Sequence, residues 1–65
     1  MYKLYMPAGK RTFYAEKIFY KNGFINLIGN VREYHHERYG DKFDKKPDMS
    51  FHGIQCIRTK IDKIK

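Results

Sequence analysis

The chain has 65 residues, a single cysteine and a formal net charge of +7, which bounds it to one small basic domain, residues 1–65, without an intrachain disulfide. No run approaches the roughly 20 apolar residues of a membrane span, the first ten residues lack a signal-peptide core, and no Cys/His spacing fits zinc. These exclusions set the expectation of a cytoplasmic protein with no metal, cofactor or membrane partner, stabilised mainly by Tyr and Phe in a core without Trp.

In chain order, Tyr2 to Met6 alternates well enough for a first strand, which Pro7 and a turn through Ala8, Gly9 and Lys10 would end. Residues 11 to 29 then carry the strongest local signal. Asn22-Gly23 lies between two runs rich in aromatic and β-branched residues, and this pair tolerates the positive φ angles of a type I′ hairpin turn. With those two residues as the loop, Lys21 falls opposite Phe24, Tyr20 opposite Ile25, Phe19 opposite Asn26, Ile18 opposite Leu27 and Lys17 opposite Ile28. One face collects Ile18, Tyr20, Ile25 and Leu27 and reads as core. The other collects Arg11, Phe13, Lys17, Phe19, Lys21, Phe24, Asn26 and Ile28, with cations and rings alternating.

Gly29-Asn30 is read either as a second tight turn or as a bend within one long strand from Phe24 to Tyr34. A competing reading makes residues 31 to 39 a short helix, with Asn30 as N-cap, Glu33 completing a capping box and Gly40 after the end. Gly40 to Ser50 is charged, contains Pro47 and shows no period, which predicts a loop. Phe51 to Ile61 reads as the last strand. The expected fold is mainly β: a small curled antiparallel sheet, or an SH3-like or OB-like partly open barrel of four to five strands. The alternative is α+β with one helix near 31–39.

The basic-aromatic hairpin face is the candidate site. Single strands bind where rings stack on bases and cations lie beside them for phosphates. Phe13, Phe19 and Phe24 are the candidate rings, Arg11, Lys17 and Lys21 the candidate cations, and Arg58 and Lys60 add charge if the last strand lies alongside. The same phenylalanines would also serve as core, with lysine stems lying over them.

His35, His36, His52 and Cys56 make a poor metal set, because neighbours on a strand point to opposite faces and His52 and Cys56 on one strand stand about 13 Å apart. Cys56 reads as a small buried hydrophobe rather than a nucleophile. The charges around His35 and His36, namely Arg32, Glu33, Glu37 and Arg38, read as a solvated face rather than an acid-base set, so no enzyme activity is expected. Nucleotide-binding glycine loops and hydrolase triads are absent from the sequence.

The residues therefore favour a non-enzymatic nucleic-acid-binding module acting on single strands. The alternative is a small inhibitor or regulator, bacterial or phage in character, that docks on an acidic protein. Free sheet edges leave room for a homodimer.

Overall fold

The computed structural model describes residues 1–53 and 55–62. Among the described residues eight strands form, and no helix: β1 Tyr2–Met6, β2 Arg11–Ala15, β3 Lys17–Lys21, β4 Phe24–Ile28, β5 Arg32–Glu37, β6 Gly40–Lys45, β7 Met49–His52 and β8 Ile57–Lys60. They make two antiparallel sheets, a large one of order β6-β5-β2-β1-β8 and a small one of order β3-β4-β7.

The two sheets are halves of one folded-over meander. Strands β2 and β3 continue each other, as do β4 and β5, and the same neighbours pair on both sides of the fold line: β3 with β4 and β2 with β5, then β4 with β7 and β5 with β6. At the line, the Glu16 N–H donates to the Gly29 carbonyl at 2.9 Å and the Lys46 N–H to the Val31 carbonyl at 2.9 Å, so pairing carries through the bend. Between the pairs Lys17–Ile28 and Tyr14–Arg32, the middle strand has Gly29, Asn30 and Val31 where its neighbour has only Ala15 and Glu16. A surplus residue of this kind bends a strand sharply. Gly29 has φ +83°, which strains any residue with a side chain, and a Cβ there would also press on the Glu16 side chain, so the position favours glycine.

The bend brings the inner faces together. Leu4, Met6, Phe13 and Ala15 from the large sheet meet Ile18, Ile25 and Leu27 from the small one, with Val31 at the fold line, and all are buried. Phe51 joins them, its ring 5.5 Å from that of Phe13. Fully burying a ring such as Phe13 contributes about 2 to 3 kcal/mol. The one buried charge among the described residues, Glu33, lies opposite Phe13 and accepts two hydrogen bonds from the Arg11 guanidinium, at 2.8 and 2.9 Å. Arg11 accordingly holds the Glu33 carboxyl below the usual carboxylate range.

The mainly β class holds, with two open sheets rather than a closed barrel, and so does the hairpin, whose register of Lys21 with Phe24 through Lys17 with Ile28 is the expected one. Asn22 at φ 52° and Gly23 at φ 80° supply the two positive angles of its turn. The bend in one long strand is the correct reading at Gly29-Asn30. Three expectations are corrected. The helix at 31–39 is instead strand β5, whose residues alternate between the two faces of the large sheet. The loop at 40–50 is instead β6 and the start of β7. The single strand from Phe51 to Ile61 is β7 and β8, so His52 and Cys56 do not share a strand.

Candidate nucleic-acid interface

The outer face of the small sheet carries Lys17, Phe19 and Lys21 from β3, Phe24, Asn26 and Ile28 from β4, and Ser50 and His52 from β7. Their alternation with the buried Ile18, Ile25 and Leu27 fixes which way they point. Phe19 is 38% exposed and Phe24 41%. The Phe24 ring lies 4.7 Å from that of His52, tilted by 40°, which gives this face an aromatic pair. In the next row, between Phe19 and Ser50, Asn26 donates to the Phe24 carbonyl at 3.3 Å, and Lys21, Asn22, Phe24, Asn26 and Ser50 line a shallow open depression of about 290 Å³. None of these face residues is acidic.

Six of the sequence-predicted site residues divide between the two sheets. Lys17, Phe19, Lys21 and Phe24 share the face as expected. Phe13 does not: it is fully buried on β2, against Phe51, and no base can reach it. Arg11 sits on the same strand, paired with Glu33 and lying over the Phe13 ring at 4.9 Å, and so belongs to the large sheet. The cause is the bend at Glu16. Inward residues run Phe13, Ala15 and then Ile18, so the alternation changes phase between β2 and β3, and a face read continuously from 11 to 21 is split across two sheets.

Arg58 and Lys60 lie on β8, which pairs with β1 and not with the hairpin. Arg58 nevertheless reaches the small sheet, donating to the Ile18 carbonyl at 2.8 Å, while its guanidinium stands 5.6 Å from the Tyr2 ring. Lys60 is exposed opposite Tyr2. Tyr20, expected in the core, is 58% exposed, and its hydroxyl meets the Cys56 sulfur at 2.9 Å. Cys56 is half-buried, packed against the core edge.

Sequence reasoning missed His52 as a member of the face, because the segment before it read as a loop. It also missed the outer face of the large sheet. There Tyr14, Tyr34 and Phe43 form a ring cluster, with centroids 6.4 Å (Tyr14 to Tyr34), 5.7 Å (Tyr14 to Phe43) and 5.4 Å (Tyr34 to Phe43) apart. The Tyr34 hydroxyl donates to Asp41 at 2.7 Å, and His36 Nδ1 approaches the same oxygen at 3.2 Å. These contacts hold the Asp41 carboxyl below its ordinary value, the Tyr34 bond first and His36 second, and the same bond raises the Tyr34 phenol.

No group of three or more His, Cys, Asp or Glu side chains is placed to hold a metal ion among the described residues. Comparison with protein-family models, curated proteins and solved structures gives no match to the chain.

Proposed function

We propose that the protein is a non-enzymatic, cytoplasmic nucleic-acid-binding module that takes a single strand on the outer face of the small sheet. The supporting observation is the grouping of Phe19 and Phe24, both partly exposed, with Lys17 and Lys21 on a face whose strand residues include no carboxylate. A ring that can accept a base beside a cation that can accept a phosphate is the arrangement single-strand binding needs. The net charge of +7 strengthens the encounter.

Fluorescence anisotropy with a labelled thymidine oligonucleotide tests this reading. Phe19→Ala should weaken binding by about 1 to 3 kcal/mol without changing its salt dependence. Lys17→Ala should reduce the slope of log K against log salt by about 0.7, the share of one phosphate on a single strand. A folded protein that binds no oligonucleotide at low salt would sink the proposal.

A second reading, a regulator docked on an acidic protein, draws support from the β5–β6 hairpin. Pairing with β2 stops at Tyr34, so residues 35–42 project as an arm, and at its tip Tyr39 is 92% exposed with the Arg38 guanidinium 5.5 Å from its ring. Aromatic residues and Arg are the residues that anchor protein interfaces. Nucleic acid carried through purification, visible in the absorbance ratio, would count against this second reading.

A further inference from the structure

The outer face of the large sheet is ordered by strand register into two transverse rows. Lys3 is opposite Tyr14, Tyr14 opposite Arg32 and Arg32 opposite Lys45, which makes one row across β1, β2, β5 and β6. Two residues along the strands, Tyr5, Thr12, Tyr34 and Phe43 are opposite one another in the same order and make the next. The first row is cationic, with Tyr14 in its middle; the second is mostly aromatic.

This arrangement opposes stability in one respect. Arg32 and Lys45 are directly opposite each other, a like-charge pairing that destabilises a sheet. Neither they nor Lys3 form an ion pair among the described residues, although Glu33 and Asp44 lie on the same two strands, because those carboxylates point to the inner face and are taken by Arg11, Lys46, His35 and Lys42. Asp41, on the same face, is engaged by Tyr34 and His36, and the Glu16 side chain at the fold line lies against Gly29. Three unneutralised cations in line beside a bank of rings are complementary to a polymer with a charged backbone and flat side groups.

We infer that this face is a second single-strand platform, with the sugar-phosphate backbone crossing the strands along Lys3, Arg32 and Lys45 and bases stacking on Tyr5, Tyr34 and Phe43. Dimensions agree. Neighbouring strands are about 4.8 Å apart, so Lys3 to Lys45 spans about 14 Å, enough for about four phosphates at the 3.4 Å spacing of a stacked strand and fewer if it is extended. The rows lie about 6.8 Å apart, a separation that lets a backbone on one place its bases over the other. The inference shares its ligand class with the hairpin proposal, but rests on different residues and a different sheet, so either can fail alone.

The test compares two paired variants, Lys3→Ala with Lys45→Ala and Lys17→Ala with Lys21→Ala, in binding to labelled thymidine and uridine oligonucleotides of about 12 nucleotides, long enough for one such site. Polyglutamate serves as a polyanion without bases. The Lys3/Lys45 pair is expected to reduce the salt slope by about 1.4, two phosphates at 0.7 each. Tyr34→Ala should weaken oligonucleotide binding about ten-fold at unchanged slope. Since loss of that ring also loosens the cluster, amide shifts of the unmodified protein give an independent reading: Tyr14, Arg32, Tyr34 and Lys45 should move on adding oligonucleotide. Preference for thymidine or uridine tells DNA from RNA, and either is consistent with the platform.

An unchanged slope in the Lys3/Lys45 pair, with no amide shifts on this face, overturns the second platform; if the Lys17/Lys21 pair still lowers the slope, the hairpin proposal survives. The opposite result supports the platform and removes the hairpin proposal. Polyglutamate binding as tightly as oligonucleotide, with Tyr34→Ala silent, overturns the platform in favour of an acidic protein partner.

Discussion

The two outer faces use aromatic residues in different ways. On the small sheet, Phe19 stands apart from the Phe24–His52 pair, and both phenylalanines are partly exposed. On the large sheet, Tyr14, Tyr34 and Phe43 pack on one another and are each half-buried. Rings that touch each other stabilise the sheet through cross-strand pairing whether or not a ligand is present. Isolated exposed rings contribute little to folding, so binding is the property most sensitive to them. The lesson is that the same residue types, on two faces of one small protein, should separate into a structural cluster and a face whose loss the fold barely registers.

The most complete break of this comparison comes from the layer between the faces. Phe13→Ala should lower stability by about 3 to 5 kcal/mol, as a fully buried ring in a core does, and should damage both faces at once; thermal unfolding checks this, and a change below about 1 kcal/mol would mean that the sheets are not held by this core. A smaller effect is expected at Glu33. Its carboxyl titrates lower in the folded state than in the unfolded chain because of Arg11, so its contribution is present above the unfolded value near pH 4.3 and is lost as pH falls through the lower folded value. Glu33→Gln should therefore cost about 1 to 2 kcal/mol at neutral pH and flatten the loss of stability on acidification below about pH 4. Denaturant titrations of both proteins at several pH values decide it, and parallel curves would remove the pair as the cause.

The finest test sets one ring against another. Phe43→Ala should destabilise by about 1 kcal/mol, since it removes contacts to two rings, whereas Phe19→Ala should stay within about 0.5 kcal/mol. Equal losses would show that the faces do not differ in the way their geometry indicates.

How far the sequence discloses this arrangement depends on what each segment faces. The β3–β4 hairpin is legible to the residue, because Asn22-Gly23 sets its turn and Ile18, Ile25 and Leu27 alternate against a true core. The β5–β6 hairpin is not. Its inner face beyond Val31 carries Glu33, His35, Lys42 and Asp44, joined by ion pairs such as His35 to Asp44 at 3.1 Å, and its rings point outward. Apolar alternation, the main sign of a strand, is thus reversed or missing, and a helix or loop reads just as well. For the candidate site, Lys17, Phe19, Lys21 and Phe24 were legible from the turn alone. Arg11 and Phe13 were misplaced because nothing in Ala15-Glu16-Lys17 marks a change of phase, and the second aromatic face is visible only when β1, β2, β5 and β6 are brought into register.

Gly29, Asn30 and Val31 make one point in the chain where length and shape are exchangeable. Removing a residue inside any of the strands would turn inward side chains outward over the rest of that strand. Removing one here would instead level the middle strand with Ala15 and Glu16 and take away the surplus that folds the meander over. In a straighter ribbon the change of phase between Ala15 and Ile18 would put Leu4 and Phe13 on one side and Ile18, Ile25 and Leu27 on the other, so neither side would carry a whole core. Whether the apolar residues of the two sheets meet in one core is, on that reasoning, set by a single residue of chain length at the fold line.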